Sequence, residues 1–216
     1  MKVFRKTIFF DRDDTINVGP NCSRAEDFQL LPGAKEALAS LRQAGYLLVL
    51  ITNQGGLGED FSGKVVAKKP RLTRENLTLI FEKMNALLGP EAKPDLIKFC
   101  PHAFWYYKCK CHKPAPGMLL EAAEELGVDL SKSYMIGDRG SDILAGHAAG
   151  VTPVMVMTGT AEEKERAVPE GIAFQKFADI QEAAEWILKQ NLTKNPEKKP
   201  ARAKAKGRSV TNKKPK

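Results

Sequence analysis

Five short apolar runs recur along the chain, each followed by a stretch whose apolar positions fall three and four apart, and this alternation restricts the fold more than any other feature. The runs Thr7 to Phe10, Leu47 to Ile51, Leu96 to Phe99, Tyr134 to Ile136 and Val154 to Met157 read as strands. Between them Gly33 to Ala44, Thr73 to Leu88, Pro116 to Leu126 and Asp142 to Ala149 read as helices, and Asp179 to Leu188 reads as a closing helix. Thr73 is placed as an N-cap and Pro116 in a first turn. A chain that alternates strand and helix builds a mostly parallel sheet covered by helices, so the fold class is α/β. Two stretches break the rhythm: Gly55 to Leu72, an insertion containing Gly and Lys, and Cys100 to Lys113, a Cys/His loop. No internal repeat is visible.

With 216 residues, 43% of them hydrophobic, the chain can bury one substantial core but not two large ones. The expected division is a folded domain over 1–188, with a loop at 100–113 as an appendage, and a tail over 189–216. The net charge of +8 suggests a binder of phosphate polymers until the charge is located. Residues 189–216 hold eleven Lys or Arg against one Glu, which leaves the body slightly acidic. The tail is rich in Lys, Pro and Ala and almost empty of large apolar residues, so it cannot offset its ordering entropy and is expected to be disordered from Gln190 onward. It has two readings: weak, sequence-independent attraction to nucleic acid or anionic surfaces, or solubilisation without a partner. No apolar run approaches the roughly 18 residues of a membrane span, and the start MKVFRKTIFFD lacks the long apolar stretch of a cleavable signal. A cytoplasmic monomer without a membrane partner is expected.

Parallel strands leave their carboxyl ends on one rim, which is where ligands bind in open α/β sheets. The residues that follow the strands can therefore be collected: Asp11 and Asp13, then Thr52 and Asn53, then the loop ending in Lys113, then Asp138. Three acids, a hydroxyl and a Lys suit a divalent cation and a phosphoryl group, whereas Asp11 and Asp13 taken alone also fit a solvated acidic turn. A phosphate monoester is polyanionic and resists an anionic nucleophile, so a metal and a Lys must first neutralise it. A carboxylate can then attack and split hydrolysis into two steps through an aspartyl phosphate. A second acid two residues along points to the same side of an extended backbone and can move the proton.

Cys100-x-His102 and Cys109-x-Cys111 supply three soft thiolates and an imidazole, the set that tetrahedral Zn2+ prefers. Four protein ligands leave no open position, so such a zinc is structural. Disulfides are the alternative, opposed by a reducing cytosol and by the closeness of Cys109 to Cys111. A clamped loop would hold His112 and Lys113 toward the phosphate. At its tip Phe104, Trp105, Tyr106 and Tyr107 are expected to pack on Gly55 to Leu72, with stacking on a sugar or base as the alternative. His147 reads as a helix-surface residue, and Gly55, Gly56 and Gly58 as a turn that lacks the Lys-Ser/Thr ending of a P-loop.

Asp11-x-Asp13-x-Thr15, Thr52-Asn53, a later Lys-Pro and Gly137-Asp138-x-x-x-Asp142, each after a strand, resemble the haloacid dehalogenase (HAD) superfamily of phosphatases. FFDRDDTIN, LLPGA, ITNQGGLG, CPH, CKCHKPAPGM and MIGDRGSD together are similar to its heptose bisphosphate and histidinol phosphatase branch, over roughly residues 4 to 160. The resemblance implies a Rossmann-like parallel sheet of HAD-like fold and a Mg2+-dependent phosphatase. It implies Asp11 as nucleophile and Asp13 as acid/base. Asp11, the main-chain carbonyl of Asp13, and Asp138 would hold Mg2+, with Asp142 supporting them. Thr52, Asn53 and Lys113 would bind phosphoryl oxygens, and Cys100, His102, Cys109 and Cys111 would bind zinc. The same carry-over places Arg12, Gly19, Pro20, Asn21, Cys22, Gln54, Gly55, His112 and Arg139 at the substrate. Asp14 stands where the branch usually has Gly. His112 stands where it commonly has Arg, which weakens the expected preference for a bisphosphate sugar, since His is only partly charged near neutrality. The expected reaction is removal of the 7-phosphate of D-glycero-D-manno-heptose 1,7-bisphosphate. A histidinol phosphatase is the next reading, then a polynucleotide 3'-phosphatase, which the acidic body opposes. From a different class, a non-catalytic, zinc-stabilised nucleic-acid-binding module would have no use for this acid, hydroxyl and Lys set.

Overall fold

Thr7–Phe10 (β1) is buried along its whole length, as a strand with helices on both faces must be. It is central in a parallel sheet, paired on one side with β2 (Leu47–Asn53) and on the other with β4 (Tyr134–Gly137). The computed structural model describes residues 4–103, 105, 109–159 and 168–194, with side chains through residue 191. Beyond β2 lies β3 (Leu96–Cys100), and beyond β4 lie β5 (Thr152–Val156) and β6 (Gln175–Phe177). The strand order β3-β2-β1-β4-β5-β6 is the doubly wound one, and the direction of winding reverses between β1 and β4, where a crevice opens beyond the strand ends. Asp11 and Asp138 directly follow these two strands.

Alternate side chains of each strand serve opposite layers. Ile8, Phe10, Leu48, Leu50 and Ile136 meet Leu38 and Leu41 of α1 (Ala34–Gln43), Ile80 and Met84 of α2 (Arg74–Leu88) and Ile187 of α5 (Ile180–Lys194). Phe9, Val49, Ile51 and Met135 meet Met118 and Leu119 of α3 (Gly117–Leu126) and Ala145 and Ala149 of α4 (Gly140–Ala149). Thr73 caps α2 by accepting from the Asn76 amide at 3.1 Å, as its spacing predicts. Pro116 precedes α3 as its cap position rather than lying inside its first turn.

Several boundaries differ from the sequence reading. The strand β6 lies outside every predicted run, because Gln-Lys-Phe is short and mostly exposed and so carries no apolar signal. The strand predicted at Val154 to Met157 starts at Thr152 and ends at Val156. The closing helix does not stop at Leu188 but runs to Lys194, so residues 189–194, expected to open the tail, are helical. A long-range bond holds that last turn, with the Tyr46 hydroxyl donating to Asn191 Oδ1 at 3.0 Å. The rest of the tail lies outside the described residues. No described helix is long and apolar enough to cross a membrane.

Candidate active site

The ends of β1, β2 and β4 and the start of α4 converge on one polar cleft lined by Asp11, Asp13, Thr52, Asn53, Lys113 and Asp142, together with Asn21, Arg139 and Ser141. Its floor is a charge cluster. Lys113 Nζ lies 2.7 Å from Asp11 Oδ1 and 2.6 Å from Asp142 Oδ1, and it also donates to the Ile51 carbonyl at 2.8 Å. Carboxylate oxygens of Asp11, Asp138 and Asp142 all lie within 4.8 Å of one another, and all three residues are buried. Lys113, with the part-exposed Arg139 at 3.9 Å from Asp138, sets two cations against three carboxylates, so the set retains excess negative charge in a desolvated place, the condition a hard divalent cation relieves. The same crowding is visible in the proton equilibria. Burial pushes the Asp142 carboxyl up to about 7, with Asp11 and Asp138 adding to the shift and Lys113 opposing it. Burial alone would lower Lys113, but the charges of Asp11 and Asp142 outweigh it and the ammonium is held above its ordinary range.

Each member is positioned by its neighbours. Asn53 Nδ2 donates to the Lys113 carbonyl and Asn53 Oδ1 accepts from the Lys113 amide, both at 3.0 Å, so the end of β2 clamps the backbone that carries the Lys. The side-chain amide of Asn53, expected on phosphoryl oxygens, is thus engaged with Lys113, although the residue still lines the cleft. Gln54 Nε2 donates to Thr52 Oγ1 at 2.8 Å, which leaves the hydroxyl proton free to be donated. Asp142 accepts from the Arg139 amide at 3.0 Å and closes the first turn of α4. A Cβ on Gly137 would lie 2.3 Å from Asp142 Oδ2, so the Gly before Asp138 is required for Asp142 to approach.

Asp13 faces the cleft, but its carboxylate is not part of the Asp11 cluster. Arg12 grips it through Nε at 3.1 Å and Nη2 at 2.8 Å, and Asn17 Nδ2 donates at 3.3 Å. Arg12 itself is 0% exposed and also reaches the Cys22 carbonyl. The side chain of Arg12, a residue expected at the substrate, is thus turned onto Asp13 and supports it. Asp14 has φ of +56°, a left-handed conformation open to Gly and tolerated by Asp, which accounts for the exchange at this position.

A second cavity adjoins the first and shares Asp13, Asn21 and Asn53 with it. Cys22, Gln54 and Gly55, all predicted from sequence, line it, and so do Ser23, Gly56 and Arg71. Gly19, Pro20 and His112 line neither cavity. Ser141, Ser23 and Arg71 were not among the predicted residues, and only the basic run before Arg71 signalled the last of them.

The Cys/His loop closes as expected. The ligand atoms of Cys100, His102, Cys109 and Cys111 lie within 4.8 Å of one another. Individual separations are 3.6 Å for Cys100 to Cys109, 3.2 Å for Cys109 to Cys111 and 3.2 Å for His102 Nδ1 to Cys111. A tetrahedron of sulfur ligands at 2.3 Å has edges of about 3.8 Å, so the donor set fits Zn2+, and its sulfurs are too far apart for disulfide bonds. All four cysteines are free. Hydrogen bonding from the Cys100 thiol lowers Cys111 to about 5, while the same contact raises Cys100. His112 departs from expectation. Its Nδ1 lies 3.4 Å from Cys100 Sγ, so the ring faces the sulfur cluster, and burial, then Lys113 and His102, press its pKa down toward the neutral form.

The insertion packs on this loop: Phe61 meets the His102 ring edge-on at 5.1 Å, and Ala103 donates to the Glu59 carbonyl at 3.0 Å. Trp105 is exposed and lines a cavity together with Ala67 to Arg71. Phe104, Tyr106 and Tyr107 lie outside the described residues. His147 is exposed on α4, as expected.

Residues 110–183 match the HAD-hydrolase-like family model. The D-glycero-beta-D-manno-heptose-1,7-bisphosphate 7-phosphatase of Haemophilus ducreyi is 36% identical over 183 residues, covering 82% of this chain and 96% of that protein. The Escherichia coli K12 protein of the same name is 33% identical over 190 residues, covering 84% and 87%. Among solved structures, the D,D-heptose 1,7-bisphosphate phosphatase of B. bronchiseptica, crystallised with magnesium and phosphate, superposes with a TM-score of 0.73. Its sequence identity is 32%, and the match covers 86% of this chain and 99% of that one.

Proposed function

The chain belongs to the HAD-like phosphatases, on their heptose bisphosphate branch, and from that premise we propose that it removes the 7-phosphate of D-glycero-D-manno-heptose 1,7-bisphosphate with Mg2+ as cofactor. The observation that supports this most is the buried trio Asp11, Asp138 and Asp142 around a single Lys113, at the crevice between β1 and β4. Mg2+ would be held by Asp11, Asp138 and the main-chain carbonyl of Asp13, with Asp142 behind them, and would supply the positive charge that offsets the phosphoryl oxygens.

The protein's own groups account for the rest. Lys113, fixed by Asn53, neutralises one phosphoryl oxygen while keeping Asp11 in place. Thr52, whose hydroxyl oxygen already accepts from Gln54, donates its proton to a second. Asp11 attacks phosphorus, forming an acyl phosphate as the ester P–O bond breaks, and Asp13 gives its proton to the departing sugar oxygen. Asp13 then takes a proton from water, which attacks the same phosphorus and releases inorganic phosphate and free Asp11. Arg12 and Asn17 hold Asp13 in the orientation both transfers need. The four-residue Cys/His set would bind a structural Zn2+ and order the loop that delivers Lys113. A cytoplasmic site of action fits a sugar phosphate substrate.

Phosphate release from heptose bisphosphate, histidinol phosphate and a 3'-phosphorylated oligonucleotide, with Mg2+ and with chelator, tests the reading. Heptose bisphosphate is expected to give the highest kcat/KM, and chelator to abolish turnover. A higher kcat/KM on either rival would replace the substrate while leaving the phosphatase in place.

A further inference from the structure

Beyond the cleft that takes the phosphate to be cleaved, two further cavities run on in series. The second shares Asp13, Asn21 and Asn53 with the catalytic cleft, and the third shares Gly55, Gly56 and Arg71 with the second. These cavities offer a path along which a substrate whose reacting phosphate sits on Asp11 can extend the remainder of its skeleton. The chemistry of the walls changes on the way. Asp13 is the one carboxylate in the second cavity, and it is already matched by Arg12. The third is walled by Lys68, Lys69 and Arg71 without any acid.

Arg71 stands at the junction, lining both outer cavities and exposed. Its amide is fixed by the Gly56 carbonyl at 3.0 Å, and the next residue, Leu72, is buried in the core, so its backbone is anchored although its side chain points outward. The other arginines around the site are engaged: Arg12 with Asp13, Arg74 with Glu59, and Arg139 beside Asp138. Among the described residues no carboxylate pairs with Arg71, Lys68 or Lys69. His112, meanwhile, lies with its Nδ1 3.4 Å from Cys100 Sγ and lines none of these three cavities.

We propose that Arg71, backed by Lys68 and Lys69, binds a second anionic group at the far end of the substrate, so that this site selects phosphate esters whose alcohol carries another phosphate. The inference rests on the phosphatase reading and sharpens its substrate class. A guanidinium offers a planar pair of donors to a phosphate, and a bond of that kind is broken by truncation without touching the groups that perform the chemistry.

The test compares heptose 1,7-bisphosphate with heptose 7-phosphate, which differ only in the distal phosphate, in the wild type and in Arg71→Ala and Arg71→Lys. Arg71→Ala is expected to raise KM for the bisphosphate about tenfold or more, with kcat and the heptose 7-phosphate constants unchanged, and Arg71→Lys to recover part of the loss. Equal effects on both substrates, or none on the bisphosphate, would overturn the assignment. Calorimetric binding of the same pair to Asp11→Asn separates the two readings, because it needs no turnover. If the bisphosphate binds more tightly than the monophosphate and Arg71→Ala removes the difference, the assignment stands even where hydrolysis of heptose esters fails. If the two bind alike, it falls even where hydrolysis succeeds.

Discussion

Lys113 illustrates how a single residue acquires meaning from what holds it. Its sequence context, a Lys-Pro after a Cys/His loop, indicates a phosphate ligand, but only the fold shows that Asn53 secures its main chain on both sides. Asn53→Ala is expected to lower kcat by about 10- to 100-fold by loosening this placement, with Lys113 itself intact. Steady-state kinetics and the unfolding midpoint check it; unchanged kcat would remove Asn53 from the positioning role. Asp142 gives a prediction with a definite sign. Its carboxyl pKa rises in the folded chain from 3.8 to about 7 because it is buried, so between those values the folded state binds a proton that the unfolded state has released. The contribution to stability is therefore greatest in acid and is lost as pH rises through about 7. In chelator, the wild type should lose stability relative to Asp142→Asn across this window, and a relative gain would contradict the assignment. The strand-end acids and Thr52 were legible because each follows an apolar run, and Lys113 because it closes the Cys/His loop. The orientations of Arg12 and His112 were not, because polarity alone does not say which way a side chain in a loop beside the cleft will turn.

At the scale of elements, β1, β2 and β4 could be read because strands buried on both faces are continuous apolar runs, whereas β3, a half-buried edge strand, was read from Leu96, Ile97 and Phe99 around Lys98. The edge strand β6 has no such run, and α5 outlasts its apolar pattern because a polar contact from Tyr46 holds its last turn. The Cys/His loop has few apolar residues of its own among those described, so a metal held by its four ligand residues would add to its order. Cys109→Ser should lower zinc content and activity together, as measured by metal analysis and phosphate release on the same preparation. Full activity with no bound zinc would rule out the dependence.

For the whole molecule, the positive net charge belongs to the tail, and the body that contains the cleft is slightly acidic. Removing residues 195–216 should leave small-substrate turnover and the unfolding midpoint unchanged. Removing residues 190–216 also takes Asn191 from Tyr46 and is expected to cost about 1 kcal/mol, or about 2–4 °C in midpoint. A loss of turnover in the shorter deletion would mean that the tail reaches the site. The account as a whole stands on Asp11 as the attacking group, and trapping the phosphorylated protein measures this most directly. Rapid acid quench during turnover of phosphate-labelled heptose bisphosphate, followed by peptide mapping, should place acid-stable, base-labile label on the peptide containing Asp11 in the wild type and none in Asp11→Asn. Label on another residue, or wild-type turnover in Asp11→Asn, would contradict it.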